Sequence, residues 1–132
     1  MFVNHLMTKI NNKMKRLFAL LSLIVMMTSC DYSYNYSYTV TNKTDAQIKV
    51  YVKTFCIDST YTIMKDAKQT LFVTDHGIEG SKGPYFQNVT GDLDNLRITK
   101  NDTFTSTRDY LKNESWIFNK GVYSTNVTNV EF

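Results

Sequence analysis

A strict two-residue alternation runs through residues 32–41, and it limits the fold of this chain more than any other feature. Aromatic or apolar residues occupy the even positions, and Ser, Asn or Thr occupies each odd position. Successive side chains of a β-strand point to opposite faces of a sheet, so one face of this segment carries Tyr32, Tyr34, Tyr36 and Tyr38. The pattern therefore predicts a first β-strand.

Shorter segments of the same character recur along the chain. They predict further strands at residues 47–56, 59–64, 70–74, 96–99, 103–106, 116–118 and 122–130, with a weaker candidate at 85–89. The glycine-rich stretch 77–84 marks the longest loop. Ser106 and Asp109 have the spacing of a capping box, which predicts a short helical turn ending near Asn113. Gly121 is expected to supply the positive φ of a three-residue hairpin loop.

These elements predict an all-β fold. We expect a single small β-sandwich, immunoglobulin-like or transthyretin-like in outline, with about seven to eight antiparallel strands. The chain carries no Cys–Trp–Cys framework, so a true immunoglobulin domain is not indicated. Residues 30–40 are expected to form a tether or the first strand, and residues 41–132 the sandwich. A chain of this length suffices for one core.

The N-terminal segment carries the most specific motif. Residues 15–30 read Lys-Arg-Leu-Phe-Ala-Leu-Leu-Ser-Leu-Ile-Val-Met-Met-Thr-Ser-Cys. Two basic residues precede an apolar stretch that is too short to span a bilayer as a permanent helix. Small polar residues then precede Cys30. This arrangement resembles the lipobox of bacterial lipoproteins, in which a peptidase cuts before the cysteine. The alternative is an ordinary signal peptide cut nearby, which leaves Cys30 a free thiol.

The resemblance implies a location and an anchor. Residues 1–29 would be a helical signal peptide, with Met14 as an alternative start, and the sulfur of Cys30 would carry a diacylglycerol. The protein would then be lipid-anchored in the cell envelope, with the outer membrane favoured. The remainder loosely resembles uncharacterised small β-sandwich lipoproteins of Gram-negative bacteria, in length, lipobox and strand texture.

Charge and composition argue against several classes of function. The leader holds four of the 15 basic residues and none of the 12 acidic ones, so the remainder is close to neutral and no nucleic-acid partner is predicted. No Gly-x-Ser-x-Gly turn occurs, and His76 is the only histidine after the leader. We therefore predict no catalytic residues, no metal site and no cofactor. An enzyme would have to use His76 with Asp75, and calcium at the acidic turn 92–95 would lack the EF-hand spacing.

The tyrosine face is the main candidate binding surface. Tyr32, Tyr34, Tyr36 and Tyr38 could form an aromatic platform for a glycan or a protein partner, or could pack on the core as ordinary strand residues. Cys56 shares the parity of the apolar residues at 48, 50 and 52 and is predicted to be buried. Asp58-Ser59-Thr60 resembles a short bacterial O-glycosylation acceptor motif, which makes Ser59 a candidate modification site.

The sequence thus favours a membrane-anchored lipoprotein with a non-catalytic binding or structural β-sandwich whose ligand is open. The alternative is a small periplasmic inhibitor or accessory subunit that binds one protein partner through the loop at 77–84.

Overall fold

Eight β-strands account for most of the regular structure in residues 31–79 and 83–132, the parts of the chain that the computed structural model describes. The predicted signal peptide and Cys30 lie outside the described residues. The strands, in chain order, are β1 (Asp31–Asn42), β2 (Ile48–Lys53), β3 (Asp58–Ile63), β4 (Lys68–Glu79), β5 (Asn95–Lys100), β6 (Phe104–Thr105), β7 (Ile117–Asn119) and β8 (Val122–Val127). Short 3₁₀ turns occupy Val89–Gly91, Asn113–Ser115 and Asn129–Glu131.

The strands form two four-stranded sheets, which confirms the predicted all-β sandwich. The first sheet has the order β4-β1-β8-β7, and the second has the order β3-β2-β5-β6. Neighbours are antiparallel except β1 and β8, which run parallel, so the expectation of purely antiparallel strands is wrong at this pair. The closing hairpin places its second strand beside β1, and that strand runs in the same direction. A constant-type immunoglobulin sandwich pairs its first strand with its second, so the order here is a different one.

The core lies between the central strands of the two sheets. Inward positions of β1, β2, β5 and β8 alternate with outward ones, as the period-two pattern predicts. Tyr38 lies at the centre of an aromatic stack, with its ring 4.5 Å from Phe72 and 4.6 Å from Tyr123 between centroids. Trp116 meets the same ring edge-on at 5.3 Å. Such pairs stabilise by about 0.5–1.5 kcal/mol each beyond the burial of their surface.

The inward tyrosines also hold a segment that is not a strand. Residues 83–92, which we call the covering segment, cross the end of the core without pairing into either sheet. Four tyrosines reach it through their hydroxyls, and we call Tyr34, Tyr36, Tyr38 and Tyr123 the tyrosine ladder. This segment contains the weak strand candidate 85–89, and that prediction is wrong.

Three members of the ladder supply backbone hydrogen bonds that a strand neighbour would otherwise supply, whereas Tyr38 donates to the carboxylate of Asp92. The Tyr34 hydroxyl accepts the N–H of Gly83 at 3.2 Å. The Tyr36 hydroxyl donates to the carbonyl of Tyr85 at 2.9 Å and accepts its N–H at 3.1 Å. The Tyr123 hydroxyl makes the same pair of bonds with Gln87, both at 2.6 Å. Buried backbone groups must find partners, so these hydroxyls are what allows the covering segment to lie on the core.

Two strand ends differ from the sequence predictions. β2 ends at Lys53, three residues before the expected end, because the Thr54 hydroxyl accepts the N–H groups of Cys56 and Ile57 and turns the chain. Cys56 therefore leaves the inward parity and is exposed, so the prediction that it is buried is wrong. In contrast, β4 runs past its expected end at 74 and keeps Gly77 paired opposite Ser33.

Two predicted turns also differ from those in the structure. The Ser106 hydroxyl accepts the N–H of Arg108 and caps no helix, so the helical turn expected near 106–113 is wrong. A capping box occurs instead at Thr128 and Glu131. The closing hairpin has the register 119↔122, so its loop has two residues where three were expected. The positive φ predicted for Gly121 is confirmed at 85°, and a Cβ there would lie 2.8 Å from the carbonyl oxygen of Asn35.

The ladder generates a first prediction. Tyr38→Phe and Tyr123→Phe each remove a buried hydroxyl and leave its partner unpaired, so each is expected to lower the free energy of unfolding by about 1–3 kcal/mol. Tyr51→Phe is the matched control, because Tyr51 is a half-buried residue whose hydroxyl makes no hydrogen bond within the described residues. Urea denaturation measures all three. A loss in Tyr51→Phe as large as in the others would contradict the role given to the hydroxyls.

Candidate functional site

The predicted tyrosine platform is mostly internal. Tyr36 and Tyr38 are fully buried, Tyr34 is half-buried, and Tyr32 remains 45% exposed. The interpretation of these four residues as one ligand face is therefore wrong for the two inner tyrosines, because they face the opposite sheet. The alternative, a first strand whose later tyrosines pack on the core, describes them correctly.

His76 belongs to a closed polar cluster beside the ladder. Its Nε2 lies 2.8 Å from Oδ1 of Asp92, while Oδ2 of the same carboxylate accepts the Tyr38 hydroxyl at 2.7 Å. The side chain of Asp92 is 4% exposed, and that of His76 is 28% exposed. Asp75, the neighbour considered in the sequence, lies on the opposite face of β4 and is exposed. The histidine is thus paired with a residue 16 positions away, and the carboxylate has both oxygens occupied.

A cavity of about 230 Å³ lies beside this cluster. Cys56 and Asp92 both line it, which brings a thiol and a carboxylate to one recess. His76 is not among its lining residues, and no hydrogen bond joins Cys56 to His76 in the part of the chain that the structure describes. Nucleophilic catalysis by cysteine needs the base in hydrogen-bond reach of the thiol, so these three residues are not arranged as a triad.

A second recess is a polar groove beside β8 of the first sheet. It has a volume of about 650 Å³, within the range of ligand sites in proteins. β8 supplies one wall, and the loop between β6 and β7 supplies the other. We call it the β8 groove; its lining residues are Thr107, Arg108, Asp109, Lys112, Glu114, Ser115, Ile117, Ser124, Thr125, Asn126 and Thr128.

Arg108 lines the β8 groove and is held there by three partners. Its guanidinium donates to the Thr125 hydroxyl at 3.0 Å and to the Asn126 carbonyl at 3.2 Å. It also forms an ion pair at 2.6 Å with Glu131, whose side chain is 5% exposed. A guanidinium held by three partners loses little freedom when a ligand arrives, so this part of the groove is preorganised.

Glu131 positions the loop wall. Its carboxylate accepts the Tyr110 hydroxyl at 2.6 Å and the Ser106 hydroxyl at 3.3 Å, while its backbone carbonyl accepts the N–H of Thr107 at 2.8 Å. The indole N–H of Trp116 donates to the Tyr110 carbonyl at 2.8 Å and closes the far end of the loop. The C-terminal 3₁₀ turn is thus the support on which the groove is built.

The lining of the β8 groove is polar and carries charged side chains of both signs. Hydroxyl and amide groups from β8 face cationic and anionic side chains on the loop, and Ile117 adds a 65% exposed apolar surface. The sequence patterns did not predict this site. Ser124 and Asn126 alternate visibly in β8, but nothing local shows that residues 107–115 lie against them.

Three further observations concern a candidate modification site, metal-ligating side chains and membrane-spanning helices. Ser59 is half-buried on β3, an edge strand, and its modification stays a prediction. No group of three or more metal-ligating side chains occurs among the described residues. No helix in the same residues is long and apolar enough to cross a membrane.

No protein family model matches the chain, and no curated protein or solved structure matches it either.

Three buried tyrosines generate a pH prediction. Burial raises the pKa of Tyr38, Tyr110 and Tyr123 above their ordinary value, and carboxylates add to the effect: Asp92 beside Tyr38 and Tyr123, and Glu131 beside Tyr110. In the unfolded chain these hydroxyls lose their protons near pH 10. Above that pH the folded state binds more protons than the unfolded state. The three tyrosines therefore contribute their full stabilisation below about pH 10, and the free energy of unfolding falls as the pH rises above it.

Urea denaturation from about pH 8 to about pH 11 tests this, with tyrosinate absorbance as a second signal. We expect the absorbance of these tyrosines to rise only as the chain unfolds. The Tyr38→Phe variant should lose less stability over this range than Tyr51→Phe. A free energy of unfolding that stays constant across the range would contradict the prediction.

Proposed function

We propose that this protein is a lipid-anchored lipoprotein of the cell envelope, favouring the outer membrane, and that its β-sandwich is a non-catalytic binding module. The lipobox-like segment ending at Cys30 supports the anchor. The single observation that carries the binding role is the β8 groove, where a fixed Arg108 lines an open polar recess.

The way in which the buried carboxylates of the described residues are used supports a non-catalytic role. The two buried carboxylates, Asp92 and Glu131, have their oxygens occupied by hydroxyl, histidine or arginine partners. Each contact joins distant parts of the chain, over 16 to 54 positions for Asp92. These groups brace the fold, whereas a general base must be able to reach a substrate proton.

The ligand class that suits the β8 groove is a neutral or zwitterionic glycan. Sugar hydroxyls can exchange hydrogen bonds with Ser124 and Asn126, and the exposed side chain of Ile117 can cover the C–H face of a ring. Lys112 and Glu114 offer charges of both signs on the loop wall. A strongly anionic or cationic ligand would meet a like charge there and would be disfavoured.

A second candidate function is an accessory subunit that binds one protein partner. The observation that favours it is the turn after β2, where Phe55 is 99% exposed and Val73 of β4 is 57% exposed beside the 230 Å³ cavity. Exposed apolar residues at the rim of a recess are typical of protein contact sites. The partner would contact this turn.

The anchor is tested by intact-mass measurement of the protein purified from membranes. We expect a chain that begins at Cys30 and carries a diacylglyceryl or triacyl adduct, because two or three acyl chains give stable membrane association. Cys30→Ser should remove the adduct and release the domain from the membrane fraction. Cys56→Ser is the matched control and should leave both unchanged. An unmodified mass for the native chain would contradict the anchor.

The groove is tested on an immobilised panel of bacterial and host oligosaccharides. Asn126→Ala and Lys112→Ala are expected to weaken binding by about tenfold each, since each removes one polar contact with the ligand. Asn95→Ala and Lys53→Ala, exposed on the second sheet, are matched controls and should bind as the native protein does.

The two groove variants, together with Phe55→Ser, distinguish the two candidate functions. If one protein is recovered with the native domain, is lost with Phe55→Ser and is kept by both groove variants, the accessory role replaces the glycan role. Equal binding by groove and control variants would contradict the groove as the site.

A further inference from the structure

The sandwich begins directly after the cysteine that is proposed to carry the lipid, and this inference rests on that proposed anchor at Cys30. β1 begins at Asp31, which pairs with Glu79 of β4. The sheet therefore starts one residue after the cysteine, and no spacer separates the lipid from the strand. A bilayer that holds Cys30 must also hold the end of the sandwich where β1 starts and β4 ends, which we call the proximal end.

The depth of the proximal residues follows from strand geometry. An extended chain spans at most about 3.3–3.6 Å per residue, so Tyr32 can lie no more than about 7 Å from Cys30, and Tyr34 no more than about 14 Å. The polar headgroup layer is about 5–8 Å thick on each side of the hydrocarbon. Tyr32 thus falls within reach of the headgroups, and Tyr34 lies about 7 Å further along β1, on the aqueous side of that layer.

The side chains at this depth suit that layer. The rings of Tyr32 and Tyr34 are stacked, with centroids 6.5 Å apart and planes inclined by 27°. Tyr34 is held by the N–H of Gly83, whereas Tyr32 is 45% exposed. Tyrosine has an apolar ring and a polar hydroxyl, and it is enriched where hydrocarbon meets water.

We infer that Tyr32, supported by Tyr34, inserts into the lipid headgroup layer and holds the acylated sandwich upright on the membrane. The surface it fits is zwitterionic, because Asp31 and Glu79 bring two acidic residues to the same end of the strand pair. The arrangement places the β8 groove at the opposite end. Asn126 pairs with Thr41, about 33 Å along β1 from Asp31, so the groove faces the aqueous side.

Depth-dependent fluorescence quenching tests this inference. The acylated full chain, purified from membranes, is reconstituted in phosphatidylethanolamine and phosphatidylcholine vesicles whose acyl chains carry bromine near the headgroup. Tyr32→Trp places a reporter at the proximal end. Phe104→Trp places one on β6 at the distal end, where the native side chain is 54% exposed. Trp116 is 6% exposed and serves as the internal reference in every sample.

We expect brominated lipid to cause a loss of emission in Tyr32→Trp alone, with Phe104→Trp and the native protein unchanged. Equal loss in both variants would mean that the sandwich lies on its side and would overturn the inference. No loss in Tyr32→Trp, in a sample whose mass carries the adduct on Cys30, would overturn the inference and leave the anchor intact. A sample without the adduct would contradict the anchor itself, and this inference with it.

Vesicles containing phosphatidylglycerol provide the test of headgroup charge. The loss of emission in Tyr32→Trp should be smaller in these anionic vesicles than in zwitterionic ones. A larger loss would contradict the assignment to a zwitterionic surface. Concentration-dependent loss in vesicles without bromine would show that Tyr32 contacts a second copy of the chain, and it would overturn the lipid contact.

Discussion

The hydrogen bonds between inward tyrosine hydroxyls and an irregular backbone segment are the interaction on which the rest of this structure depends. The covering segment at 83–92 lies on the aromatic core but pairs with neither sheet. Without partners its buried N–H and C=O groups would each cost about 1–3 kcal/mol. Tyrosine solves this because one side chain offers a large apolar ring and a hydroxyl that both donates and accepts. The residues that fill the core also complete the backbone hydrogen bonding at its edge.

Two buried carboxylates also join distant segments by hydrogen bonds from side chains. Asp92 joins the covering segment to β1 and β4 through Tyr38 and His76, and Glu131 joins the C-terminal turn to the loop before β7. A buried charge is tolerated only when hydrogen bonds replace its hydration. No buried side-chain nitrogen or oxygen lacks a partner within residues 31–79 and 83–132. The buried polar groups are therefore occupied by the fold, whereas the β8 groove stays open to solvent.

The alternating sequence pattern predicted much of the fold, and the errors in the predicted strands have identifiable causes. The alternation at 32–41 predicted β1 correctly, since period two is a local property of strand backbone. The predicted end of β2 was wrong because the Thr54 side chain captures two backbone N–H groups, a competition that hydrophobic pattern does not display. Residues 85–89 of the covering segment were predicted as a strand because they include apolar and aromatic side chains, although tyrosine hydroxyls replace the strand partner there.

By itself the sequence determined the all-β class, the approximate strands and the positive φ of Gly121, because each depends on residues close together in the chain. The tertiary structure decided the strand order, the burial of Tyr36 and Tyr38, the pairing of His76 with Asp92 and the β8 groove. Each of these joins residues that lie far apart in sequence but on adjacent strands or loops. Such contacts follow from which elements pack together, and local pattern carries no information about that choice.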